Sequence, residues 1–365
     1  MKKKLALAFL LLVSLVAWIN YRWVVYLVHV STHQAKVILY SEPIETRLLR
    51  NDLPPDEKKL LSATQKIRTF TEQAYGLAQS KSYRKYFDLG RKYLGYNITV
   101  TPEFSLKPKA FSFWPIGRFD YLGFFSREMA EDWAKRYRSE NADVYLSEIG
   151  GYSTLGWFED PLYSSQLAWG EFALARLLAH EIAHERLYFK NDTTTSEILA
   201  SFVERRLALD YLAASGQKIA SAAEIEAARR RTAAFRAEIE ATRKQLEKLY
   251  TSGLPAEEMR HRKKQIFHNL HYTLTRKGSP YAGISALKDI PPADELGNAW
   301  LVQFQRYSPE STALEALFAD CTKRATAKKY QCWFEELEKL QNCSNEQRKE
   351  WLRGNGSEPG GYCRP

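Results

Sequence analysis

LLAHEIAHERLYF, residues 177–189, decides how this chain is read. It carries His180 and His184, two of the chain's 7 histidines, with Glu181 directly after the first. On a helix, residues four apart lie one turn up and about 40° around, so the two imidazoles share a face and can reach one tetrahedral metal ion. Glu181 follows one histidine and precedes the other by three. From there it can stand beside a metal without binding it, take a proton from the attacking water and pass it to a leaving amine. Two zinc ligands and a general base thus come from a turn and a half of helix. Leu177, Leu178, Ile182, Ala183 and Leu187 flank the motif and predict a buried helix, in which an unpartnered Glu and two His would be costly. The competing reading is a core helix with two satisfied histidines.

A third ligand is sought downstream. KNDTTTSE (190–197) reads as a turn rich in N-cap residues, leading into a second helix at about 195–214. Asp192, Glu197 and Glu204 are the candidates. Glu197 lies 13 residues after His184 and in the first turn of that helix, where a carboxylate can aim at the zinc helix. Glu204 is two turns further along the same face and suits a hydrogen bond to a ligand histidine. Asp192 reads as a turn or cap residue. The expected cofactor is one Zn2+ held by His180, His184 and Glu197.

The remaining 365-residue chain supplies the context. Apolar residues make up 45% and charged residues 26%, with 21 Tyr, 18 Phe and 9 Trp, as in a globular protein with an aromatic-rich core. The net charge is +10, but the basic residues are dispersed and accompany no nucleic-acid motif, so nucleic acid is excluded as a partner. Lys2, Lys3 and Lys4 precede an apolar run, Leu5 to Ile19. Fifteen helical residues cover about 22 Å, less than the ~30 Å hydrocarbon core, which suits a signal sequence as well as a span. No small-x-small cleavage site follows, and Tyr21 and Trp23 sit where interfacial aromatics would, so residues 1–24 are read as an uncleaved anchor. Cleaved or not, the segment directs the rest of the chain out of the cytoplasm. The expected place is the inner membrane, periplasmic side. Cys321, Cys332, Cys343 and Cys363 cluster at the far end and predict two disulfides, with three possible pairings.

Elsewhere the pattern predicts helices at 23–48, at 55–76 behind Pro55, and at 127–140. Residues 96–160 are rich in β-branched and aromatic residues punctuated by Gly and Pro, and read as strands and turns. The zinc helices occupy 166–214, the first of them 166–189. From Ile225 to Leu249, apolar and small residues step by 3, 4, 3, 4, a heptad seam. TSGLP (251–255) turns the chain back, so 217–275 reads as a projecting helical hairpin that can take a protein partner. GGYSTLGWF (150–158) precedes the zinc helix and could pair with substrate backbone through Tyr152, Ser153 and Thr154, or be a buried strand and turn. Tyr307 could donate to a tetrahedral oxyanion, or be an ordinary core tyrosine.

DLGRKYLGYNITVTPEFSLKPKAF, YLGFFS, GGYSTLGWFEDPLYS, LLAHEIAHERLYFKNDTTTSEILASFVE and GNAWLVQFQRY occur in an order and spacing that resembles the predicted zinc aminopeptidase family of Gram-negative bacteria. The resemblance covers most of 25–320, with 321–365 left as a Cys-containing tail. It implies an α+β, predominantly helical, zincin-like (gluzincin-like) metallopeptidase domain with a small N-terminal sheet. It also implies His180 and His184 as ligands, Glu181 as base, and Glu197 as third ligand. Ser196 stands where the family has Asn, and Gly297-Asn298 where it tends to have two Asn. An apolar segment replaces the family's frequent lipidated Cys. The expected function is a zinc-dependent peptidase, an aminopeptidase by resemblance, with a peptide as substrate. A zinc amidase of cell-wall peptides and a membrane-tethered scaffold working through the heptad hairpin are the alternatives.

Overall fold

A computed structural model describes residues 18, 20–113, 117–151, 159–190, 192–217, 221–284, 287–306 and 311–355. All but Trp18 of the Leu5–Ile19 run lies outside them. Among the described residues no helix is long and apolar enough to cross a membrane.

The first helix, α1 (Tyr21–Tyr40), buries Tyr26 and Val37. It is shorter than the predicted 23–48. The chain leaves the helix at Ser41 (φ −70°, ψ 132°), and Glu42–Pro43 forms strand β1, antiparallel to β2 (Lys85–Phe87). Pro43 is the cause: it disfavours helical backbone at Glu42 and has no N–H to give an α-helix. A short α2 (Ile44–Leu48) follows. Helix α3 (Pro55–Tyr75) starts on Pro55 and stops at Gly76, whose left-handed backbone (φ 69°) closes it.

Strands β3 (Gly95–Thr101), β4 (Phe111–Phe113), β5 (Gly117–Phe119), β6 (Leu122–Phe124) and β7 (Asp143–Ile149) form two small sheets. One has the order β6-β3-β7, antiparallel throughout; β4 and β5 pair as a hairpin. Between β6 and β7 runs α4 (Arg127–Ser139), capped by Ser126 accepting from the Met129 N–H. Its buried Ala130, Trp133, Ala134 and Tyr137 repeat at helical spacing and cover Ile98, Leu122 and Phe124 of the sheet. Strand β8 (Leu162–Tyr163) joins β2 in parallel and leads to α5 (Ser164–Leu167).

The predicted helix 166–189 is therefore two helices. Gly170, at φ 81°, separates α5 from α6 (Glu171–Arg186), which carries the HEIAH motif. Helix α7 (Thr193–Ala214) packs along it. The hairpin consists of α8 (Ala222–Tyr250) and α9 (Ala256–Thr275). Phe235, Ile239, Thr242, Leu246 and Leu249 of the seam are buried. The apolar members Phe235, Ile239 and Leu246 share a core with Phe267 and Leu270 of α9 and with Leu106, Trp300 and Leu301 of the body. The hairpin is thus packed on the body along its seam. Lys263 reinforces this with a 2.8 Å ion pair to Asp143 at the start of β7.

After α10 (Asn298–Leu301) come α11 (Thr312–Arg324), α12 (Lys329–Glu338) and α13 (Asn345–Glu350). Residues expected as a tail instead complete the main core. Cys321, Trp333, Phe334 and Leu337 pack with Leu61 and Tyr75 of α3, with Leu178 and Ile182 of α6 and with Val203 of α7. Cys321 and Cys332 form a disulfide between α11 and α12, and Cys343 is disulfide-bonded as well. The result is α+β and mostly helical.

Candidate metal centre

Helix α6 carries His180 and His184 on one face, and the first turn of α7 brings Glu197 to them. His180 Nε2 lies 3.2 Å from His184 Nε2. The Glu197 carboxylate spans both, with Oε2 3.3 Å from His180 Nε2 and Oε1 3.4 Å from His184 Nε2. One ligand atom from each residue falls within 4.8 Å of the others. Glu197 is the most open of the three, its side chain 44% exposed against 17% for His180 and 14% for His184.

Glu204 Oε2 stands 2.8 Å from His180 Nδ1, and its other oxygen pairs with Arg176. A carboxylate there accepts a hydrogen bond from Nδ1–H and so orients the ring with Nε2 towards His184 and Glu197. Burial alone would lower the His180 pKa, but hydrogen bonds that its ring donates to Glu197 and Glu204, with the charge of Glu181, raise it to about 10. Burial likewise opposes ionisation of Glu197, yet the two imidazoles hold its carboxyl well below the usual range. Glu204 is lowered by His180 and Arg176 against the same opposition. Three carboxylates around two imidazoles make a pocket that favours a cation. Glu181 shifts the other way. Burial pushes its carboxyl up, Glu197 and Asp160 add to this, and the two histidines oppose it.

The start of α7 fixes where Glu197 points. Asp192 caps the helix, accepting from the Thr195 N–H at 3.2 Å and the Thr195 hydroxyl at 2.9 Å. Ser196, where the resembled family has Asn, accepts from the Phe189 N–H at 3.0 Å and so ties the start of α7 to the segment that follows α6. Arg348 on α13 donates to Asp192 Oδ2 at 3.0 Å, and both side chains are buried. On α6, Glu185 lies one turn beyond Glu181 and receives the Ser80 hydroxyl at 2.9 Å, the Lys81 N–H at 3.0 Å and the Ser82 N–H at 3.1 Å. The next residue, buried Tyr83, has a left-handed backbone (φ 58°) and donates its N–H to the Asp160 carbonyl. Glu181 is the carboxylate that most opposes its ionisation. Tyr75 donates to the Ala179 carbonyl at 2.9 Å, fixing α6 against α3.

The structure thus brings together His180, His184, Glu197 and Glu204, and places Asp192 as a cap. Tyr152, Ser153, Thr154 and Tyr307 lie outside the described residues. A groove of about 1130 Å³ between α4, β7 and α9 is lined by none of the three converging residues. Arg348, Arg176, Glu185 and Tyr83 were missed in the sequence. Only Arg176, four before His180 on the same helix face, left a signal that could have been used.

An α+β, mostly helical chain with a His–His–Glu cluster on two packed helices is the class that fold and site define. The chain belongs to the family described as "Putative aminopeptidase", which it matches over residues 25–352. The match runs past the limit of 320 expected from the motifs and takes in Cys321, Cys332 and Cys343, in keeping with their place in the core. No curated protein and no solved structure matches the chain. Membership makes the chain a member of a peptidase family, with peptide as the implied substrate class.

Proposed function

We propose that the chain is a zinc-dependent peptidase in which His180, His184 and Glu197 hold the metal. The observation that carries this is the convergence of two Nε2 atoms and one carboxylate within 4.8 Å. Two nitrogens and one oxygen are a donor set that zinc accepts, and three protein ligands are the number found in catalytic zinc sites. Zinc, when bound, supplies a Lewis acid that polarises the scissile carbonyl and acidifies water.

The chain's own groups do the rest. Glu204 holds His180 through Nδ1, fixing its tautomer and ring direction. Glu181 accepts the proton of the attacking water on its carboxylate and delivers it to the nitrogen of the broken peptide bond. Burial raises its pKa above the ordinary carboxylate value, the direction that helps it hold a proton before passing it on. Tyr307 is assigned to the oxyanion and Tyr152, Ser153 and Thr154 to the substrate backbone, on their sequence positions. The Cys321–Cys332 disulfide fits an oxidising compartment, and with Lys2–Lys4 ahead of Leu5–Ile19 it supports a periplasmic domain held at the inner membrane.

Elemental analysis of the purified chain tests the metal assignment. One zinc per wild-type chain, lost in Glu197→Ala, is the expected result. A folded wild-type protein without zinc after reconstitution would overturn it.

A further inference from the structure

The outward face of α1 carries an uncharged, largely apolar stripe. Tyr21, Val25, Val28, Thr32, Ala35 and Leu39 follow one another by four and three residues, which lines them along one stripe of the helix. All six are exposed: Tyr21 is 56% accessible, Val25 51%, Val28 56% and Leu39 74%. None carries a charge. The opposite stripe is already used, since Tyr26 and Val37 are buried and Trp23 packs 4.7 Å from Trp133. A helix on a protein surface ordinarily turns its polar face to solvent. Here both faces are apolar, and the outer one extends over about 30 Å of axis. A contiguous exposed apolar strip of that length marks an interaction surface.

The occupant follows from what precedes it. Leu5–Ile19 is uncharged and apolar and ends against the first residue of the stripe. Trp18, 79% exposed, and Tyr21 stand at the junction, as aromatic side chains do at the boundary between hydrocarbon and headgroups. Asn20 (φ −106°, ψ 24°) occupies the N-cap position of α1 with no side-chain cap hydrogen bond, so α1 begins at Tyr21. Lys36, exposed at the edge of the stripe, can reach a phosphate with its amine while its stem stays on the apolar side.

We propose that α1 lies in the plane of a lipid bilayer, with the Tyr21–Leu39 stripe in the interface and the β6-β3-β7 sheet and α4 resting on its inner side. Such a helix binds through buried apolar area. The domain then sits directly on the membrane at a fixed orientation. This rests on the reading of Leu5–Ile19 as a membrane segment, and the test separates the two.

The full-length chain is incorporated into vesicles of phosphatidylethanolamine and phosphatidylglycerol, with a single nitroxide label at Val28→Cys, Leu39→Cys, Leu11→Cys or Lys59→Cys. No free cysteine is present among the described residues to compete for the label. Lys59 is exposed on α3 and serves as the aqueous control. Collision with oxygen, enriched in lipid, is compared with collision with a water-soluble nickel chelate. The expected result is oxygen preference at residues 28, 39 and 11, several-fold above that at 59. Oxygen preference at 11 alone would keep the anchor and overturn the interfacial helix. Aqueous behaviour at all four would overturn both. Protection from both reagents at 28 and 39 would put a protein surface, such as a second copy of this chain, on the stripe and overturn the lipid assignment.

Discussion

Arg348 and Asp192 meet at 3.0 Å, with 6% and 4% of their surfaces exposed. Arg348 also donates to the carbonyls of Leu340 at 3.1 Å and Cys343 at 2.7 Å, and its guanidinium lies 4.6 Å from the Phe189 ring centre. Asp192 in turn caps the helix that carries Glu197. The C-terminal segment therefore holds the helix end from which the third candidate ligand projects. Arg348→Met leaves a buried carboxylate without its partner, a change that costs about 3–5 kcal/mol. Urea denaturation should show that loss. A wild-type midpoint would remove the pair from the structural argument.

Glu204→Gln keeps the size of the side chain but weakens its hold on the His180 Nδ1 proton. Loss of such a partner lowers metal affinity by about 10- to 100-fold. Competition against a chromophoric chelator should place the variant between wild type and Glu197→Ala. Affinity equal to wild type would leave Glu204 with only its pairing to Arg176.

Glu181→Gln removes a proton acceptor without removing a ligand. Zinc content should stay at the wild-type level while the rate of peptide hydrolysis falls by about 100-fold or more. A variant as active as wild type would end the assignment of Glu181 as base.

His33 gives the fold an acid-sensitive point on α1. Its ring stacks on Phe125 at 3.7 Å, and its Nε2 is buried without a partner. Burial, then Arg91, His29 and Lys36, lower its pKa from 6.5 to about 4. Between those values the unfolded chain binds the proton and the folded chain does not. Stability is therefore complete above about pH 6.5 and falls as the pH drops towards 4. His33→Gln should flatten that part of the profile of denaturation midpoint against pH. An unchanged slope would assign it to other groups.

The parts legible in the sequence are those set by local chemistry. Pro55 and Gly76 bound α3, Ser126 starts α4, and the four-residue spacing of His180 and His184 places them on one face. Glu197 and Glu204 could be chosen because a turn and a helix follow at a usable distance. The breaks at Ser41 and Gly170 were overlooked, although Pro43 and Gly170 were in view. Apolar periodicity carries across both, and it outweighed the backbone signal. The Glu185 clamp and the Arg348–Asp192 pair join residues more than a hundred positions apart, which no local pattern records. The recognisable motifs stop near 320, which leaves the segment after it as a tail in the sequence reading. Trp333 and Phe334, both buried, are what tie it to the core.

Arg348 follows α6 and α7 by more than a hundred residues in the chain, and that order bears on biosynthesis. A ribosome completes α6 and α7 more than a hundred residues before it adds α13. During that interval the start of α7 lacks the guanidinium that closes over Asp192, and α3, α6 and α7 lack the aromatic layer of α12. The nascent polypeptide can form both helices of the HEIAH region, but their seating waits until α12 and α13 have been added. A protein built in this order sets the His180–His184–Glu197 cluster only after α13 has been synthesised.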